Sequence, residues 1–174
     1  MKPKVTITTG NVMGLTITMI SDHDLEQKRS MFKSTRLATG LSIAEAANLL
    51  NVSAAKVQRW ESGQTMPAKR AFRQIREVER FLIAQADFAL SRIRAEAVQV
   101  GCLPEAVEVC VASTDEEARS RGFPTVSAAR KCASLITAAI NDHFPDVKVV
   151  TVRRGSTPAS AYLVALQEAA GSAA

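Results

Sequence analysis

The sequence predicts a mainly α protein with an α+β C-terminal part, and three observations predict it. Hydrophobic residues make up 47% of the 174-residue chain but aromatics only 5%, a composition suited to alanine-rich helical packing. Between Pro67 and Gly101 no glycine or proline interrupts the chain, and apolar residues recur there at spacings of three and four. Alternating β-branched runs occur only in the first 20 residues and beyond Pro104. A chain of this length can bury a core without disulfide or metal staples.

The elements follow in order. Residues 4–9 (KVTITT) and 15–20 (LTITMI) flank Gly10-Asn11, so residues 1–20 read as an N-terminal arm or hairpin. Ser21 opens a first helix with Asp24 three residues later. Leu25, Met31 or Phe32, and Leu37 carry it to about Ala38, where Gly40 ends it. Ser42 with Glu45 is a capping-box spacing for a second helix, and Asn51 suits the left-handed turn after it. Ser53 caps a third helix that Gly63 stops, and Pro67 suits the first position of a fourth.

From Ile75 through Val78, Leu82, Ala86, Ala89, Ile93 and Ala97 to Val100 a single apolar stripe runs, widened by Phe81, Ala84 and Phe88. The stripe predicts one helix of about 34 residues and about 50 Å, or two helices broken near residues 84–86. So long a helix has more apolar face than a small domain covers, and part of it should meet another chain or the C-terminal region. Gly101 and Pro104 close it. Residues 106–113 then read as a strand, 114–122 as a short capped helix, 127–144 as an amphipathic helix and 147–152 as a second strand. Residues 161–166 read better as a third strand than as a terminal helix. The domain division is therefore 1–20, an arm; 21–83, a small helical domain; 84–104, a long-helix connector; and 105–174, a C-terminal α/β domain.

The chain carries a net charge of +5, unevenly placed: +4 over residues 21–100, −1 over residues 101–174 and +2 over residues 1–20. A basic front half predicts a polyanion-binding surface followed by a region of different purpose. The candidate surface lies between Ser42 and Arg59, whose spacing fits a helix-turn-helix, with Leu49, Val52 and Val57 as the apolar contacts and Ala47 small at the crossing. In such a motif the N-terminal end of the second helix enters the major groove. Ala54, Ala55, Lys56, Gln58 and Arg59 then face outward, while Val57 and Trp60 turn inward. Lys56 sits in the first turn, where a cation opposes the helix dipole. A phosphate or a guanine edge would neutralise it. Arg59 can contact guanine and Gln58 an adenine edge, and the two alanines permit close approach.

The pattern L-S-x-x-E-x-A-x-x-L-x-V-S-x-x-x-V-x-x-W-E-S-G-x-x-x-P, from Leu41 to Pro67, resembles the Xre/Cro/C1-type helix-turn-helix family of phage and bacterial repressors. The likeness spans about residues 25–80. It implies a lambda-repressor-like helix-turn-helix domain in which Ala54, Ala55, Lys56, Gln58 and Arg59 face bases. Ser42 and Ser53 would contact the DNA backbone, and Trp60 and Glu61 would be structural. Where the family often has Gln after the helix-opening Ser, this chain has Ile43, which cannot make that contact. With the long helix, the strand and the short Asp/Glu-rich helix, the whole is similar to anti-CRISPR-associated repressors. That resemblance implies a C-terminal dimerisation domain, a homodimer, an inverted-repeat operator in double-stranded DNA, and autorepression, with RNA as a further possible ligand.

Outside the motif, Lys33 and Arg36 late in the first helix and Lys69 and Arg70 after Gly63 are the backbone-phosphate candidates. Arg73, Glu77 and Arg80 are spaced for pairing along one helix. Cys102, Cys110 and Cys132 form no C-x-x-C and read as buried thiols of a reducing, cytoplasmic and nucleoid-associated protein. His23 and His143 have no ligand partners at metal spacing, so no metal or other cofactor is expected. No stretch has the length of a membrane span, and no signal peptide is evident. The chain lacks P-loop, G-x-G-x-x-G and G-x-S-x-G motifs, so no enzyme is expected. Two alternatives to a DNA-binding repressor stay open: an antitoxin-type interaction protein, and an RNA-binding translational repressor using the same basic face.

Overall fold

Caps and turns in the sequence set the helix ends of the computed structural model. It describes the backbone of residues 10–12, 15–17 and 25–154, with residues 156, 157, 161, 162 and 165, and side chains from residue 31 onward. Gly10–Val12 (β1) and Leu15–Ile17 (β2) pair antiparallel. Gly10-Asn11 thus belongs to the first strand rather than to a turn. The expected strand at residues 4–9 and the Ser21 cap lie outside the described residues.

Leu25–Ala38 (α1), Ile43–Leu50 (α2) and Ala54–Glu61 (α3) form the helical front of the chain. Ser42 and Glu45 close a reciprocal capping box at the start of α2. Asn51 adopts φ 53°, the left-handed turn that separates α2 from α3. The Ser53 hydroxyl accepts the Lys56 N–H at 3.3 Å. Of the apolar residues expected to carry α1, Phe32 is fully buried, whereas Met31 and Leu37 are 40% and 53% exposed. The α1 register therefore turns Phe32 inward. Leu41, Ala46, Ala47, Val57, Trp60, Ala71 and Ile75 pack with it, and Phe32 meets Trp60 edge to face at 5.4 Å.

Lys69–Val100 (α4) is one unbroken helix of 32 residues, about 48 Å long. Its N-cap is Ala68, so Pro67 stands just outside the helix rather than at its first position. Gly101, at φ 84°, ends it. Beyond it lie Ala106–Val111 (β3), Asp115–Ser120 (α5), Val126–His143 (α6) and Lys148–Arg153 (β4). β3 and β4 pair in parallel, Ala106 opposite Lys148 through Val111 opposite Arg153, joined by the α5–α6 crossover. Leu90 and Ile93 of α4, Ala133 and Ile140 of α6, and Val109 and Val147 form the core of this half. Residues 161, 162 and 165 are helical where a strand was expected, and the Ala161 N–H reaches the Thr157 carbonyl at 2.8 Å. Alanine favours helix over strand, and that preference prevails here.

The two halves share α4 and also touch directly. Ala128, near the start of α6, is fully buried in the core built by α1, α2 and α3. Among the described residues no helix is long and apolar enough to cross a membrane.

Candidate nucleic-acid interface

The geometry of α3 comes from what lies behind it. Val57 and Trp60 are 0% and 2% exposed, three residues apart on the inner face. That spacing leaves Ala54, Ala55, Lys56, Gln58 and Arg59 exposed together on the outer face, as the sequence predicts. The first turn of α3 holds no acid, so its N-terminal dipole is open to a negative ligand. The Lys56 ammonium lies 5.8 Å from the centre of the Trp60 ring. The cation opposing its own helix dipole thus has an intramolecular reason for its place, a weak cation–π contact, as well as access to solvent.

Lys56 and Trp60 also share a groove of about 260 Å³ with Asn51, Arg70 and Gln74. Arg70 therefore stands beside α3. Lys69, its neighbour, points to another side of α4, where it lines a wider groove of about 620 Å³ with Arg73, Arg76 and Arg80 over Met31, Met66 and Phe72. Successive residues on a helix are about 100° apart, so the two phosphate candidates serve different faces. Arg73 pairs with Glu77 at 3.7 Å along the helix. Lys33 is exposed on α1.

Arg36 lies elsewhere than the phosphate surface expected of it. Only 6% exposed, it donates from Nε to the Glu61 carboxylate at 2.5 Å, from a terminal nitrogen to the same carboxylate at 3.2 Å, and to the Leu41 carbonyl. The fork joins the end of α1, the α1–α2 corner and the end of α3 in one buried ion pair. Because its donors are spent inside the fold, Arg36 holds the end of α3 in place rather than offering a contact to solvent.

Ser42 and Ser53 are both exposed, and both hydroxyls serve as caps. Each keeps its own O–H to donate. Ile43 is half-buried against the same core as Trp60, which accounts for an apolar residue at the start of α2.

One part of this surface has no local signal in the sequence. The start of α6 lies beside the start of α2. Burial raises the Glu45 pKa, but hydrogen bonds from Ser42, Ser127 and Thr125 outweigh it and hold the carboxyl below its ordinary value. Gly40 lies so close that a Cβ added there would come within 2.7 Å of the Lys131 Cβ and 3.0 Å of the Ser127 carbonyl oxygen. Lys131 thus stands next to the α1–α2 corner, over 80 residues from it in sequence. Only a long-range contact places it there.

The cysteines are free, but only Cys132 is buried as expected; Cys102 is exposed just past the end of α4 and Cys110 is half-buried in β3. Burial pushes the Cys132 thiol up to about 11, which leaves it protonated and inert.

Residues 31–82 match the model of a family described as a helix-turn-helix domain, a span from α1 into the first half of α4. A search of curated proteins finds no match.

Proposed function

We propose that this chain is a sequence-specific, DNA-binding transcriptional regulator of the Xre type rather than a catalyst. In this reading it works on the nucleoid in the cytoplasm, as a dimer on an inverted repeat, and represses its own operon. The observation that carries the reading is the outer face of α3, presented by the buried Val57 and Trp60 within a segment that matches a helix-turn-helix domain. Ala54 and Ala55 let the helix start approach the groove floor. Gln58 and Arg59 reach base edges, where bidentate contacts to adenine and guanine discriminate sequence. Lys56 leans toward the Arg70 side and meets a phosphate or a guanine. Ser42, Ser53, Lys33 and Arg70 position the duplex through its backbone without reading it, while Lys69 faces away from α3. Two dyad-related copies would place their recognition helices about 34 Å apart.

Selection of bound duplexes from a random pool tests this directly. The expected product is an inverted repeat. On it, Gln58→Ala and Arg59→Ala should each weaken binding by roughly 1–3 kcal/mol and relax specificity, whereas Arg70→Ala should weaken all sequences alike and lower the salt dependence. Recovery of no preferred duplex, or tighter binding of RNA than of the selected DNA, would overturn the reading.

A further inference from the structure

The rear half of α4 has two opposite faces. Leu82, Ala86, Leu90 and Ile93 lie on one and are buried. The other carries Ala84, Phe88, Ser91, Ala95 and Val98, all exposed, with Phe88 at 61% and Val98 at 85%. Their spacing alternates four and three, the heptad seam by which one helix packs along another. The Ser91 hydroxyl donates to the Phe88 carbonyl at 2.8 Å, so it brings no unmet donor into the seam. The described part of the chain leaves this face open.

We propose that a second copy of the chain docks here, with the two α4 helices packed in parallel over residues 84–98. Charge on the flanks favours that partner and that direction. A parallel seam sets each flanking residue against the one five positions further along the second helix. Asp87 then meets Arg92 of the second copy, and the twofold makes the contact twice. Arg80 and Arg94 would meet Gln85 and Gln99, so no like charges oppose each other. Among the described residues neither Asp87 nor Arg92 has an ion-pair partner in its own chain, while Arg94 is stacked on the Phe144 ring at 5.7 Å. An antiparallel pair centred between Phe88 and Ser91 sets Asp87 against Arg94 instead, whose guanidinium is already stacked on Phe144, and brings Arg92 of both copies toward the dyad.

A seam of about two heptads is too short to hold free peptides together. Here α4 is kept helical by α6 packed on its opposite face, so association need not order it. Large side chains at the seam are few, and Ala84, Ser91 and Ala95 let the backbones approach. The inference needs no DNA. It rests on the dimer of the regulator reading and names the face that forms it, and a parallel pair sets both helix-turn-helix units at one end.

Sedimentation of the full chain without nucleic acid tests it. The chain should sediment as a dimer that Phe88→Glu weakens at least about tenfold, with unchanged helical circular dichroism, since Phe88 is exposed in the monomer. Asp87→Arg should weaken it too, and adding Arg92→Asp to that variant should restore it. In a Cys102→Ser background, Val98→Cys should crosslink between copies on mild oxidation, which a parallel seam alone permits. A monomer at tens of micromolar, a dimer indifferent to Phe88→Glu, or absence of the Val98→Cys crosslink would each overturn the proposal. None of these results depends on whether DNA is bound.

Discussion

Two helix faces that the cores leave free differ in what they offer. On α3, the buried Val57 and Trp60 turn Ala54, Ala55, Lys56, Gln58 and Arg59 outward. On α4, the buried Leu82, Ala86, Leu90 and Ile93 turn Ala84, Phe88, Ser91, Ala95 and Val98 outward. Both are presented by the same device, apolar residues at spacings of three and four that hold the back of the helix. The free sides part company. The first is short, polar and basic, suited to water or a polyanion. The second carries an open phenyl ring and valine, which water solvates poorly. The core decides which side is free, and the residues on it decide the partner.

The largest effect comes from loosening the first face from behind. Glu61→Ala leaves the Arg36 guanidinium buried at 6% exposure without its carboxylate. A broken buried pair of this kind costs about 3–5 kcal/mol. Removing both charges, as in Arg36→Met with Glu61→Leu, should recover most of that loss, because apolar groups of similar size need no counter-ion. Urea denaturation followed by the fluorescence of Trp60, the chain's one tryptophan, and by circular dichroism reads both variants. Equal losses in the single and double variants would mean that the pair's geometry, and not its charge, holds α3. Neither variant should change the seam on α4.

Much of the first face was legible because local rules write it. Ser42 with Glu45, Asn51, Ser53 and Gly63 each fix a helix end through bonds that span only a few residues, and the structure places all four where those rules do. The outward set on α3 follows from period alone. Arg36 was illegible, because a cation late in a helix looks the same whether its carboxylate lies 25 residues away or a phosphate lies outside. The contacts of Lys131 and Ser127 with the α1–α2 corner were equally hidden, since no local spacing encodes them. The α4 stripe was read as one broad apolar face. Once α6 covers one side, Phe88 and Val98 stand apart from Leu82 and Ile93. Residues 161–166 read as ambiguous between strand and helix, with strand preferred, and at residues 161, 162 and 165 helix is what forms.

The junction between the two regions can be strained at a single atom. Gly40 holds φ 73°, and a Cβ there would press on Lys131 and Ser127 of α6. Gly101, at φ 84°, has nothing within 4 Å of the same added atom. Gly40→Ala therefore carries both backbone strain and overpacking, and should cost about 2–3 kcal/mol. Gly101→Ala should cost roughly 1 kcal/mol, from backbone alone. Denaturation midpoints of the two variants make the comparison. Equal costs would show that α6 yields freely at the α1–α2 corner, and that the start of α6 is only loosely held beside the start of α2.

The smallest expected change separates stability from binding on α3 itself. The Ser53 hydroxyl caps the helix through the Lys56 N–H, and Ser53→Ala should cost about 1 kcal/mol. Ser53→Asp keeps a capping oxygen and adds a negative charge that the helix dipole favours, so its thermal midpoint should match or exceed that of the parent. If the outer face of α3 meets DNA, that same charge repels phosphate, and duplex affinity should fall in the more stable variant. Lys131→Ala, beside the α1–α2 corner, removes a cation from the start of α6 without touching a cap. A loss of affinity with Ser53→Asp but not Ser53→Ala places the polyanion at the start of α3. A loss of duplex affinity with Lys131→Ala, at an unchanged thermal midpoint, would extend the contact to the α2–α6 junction.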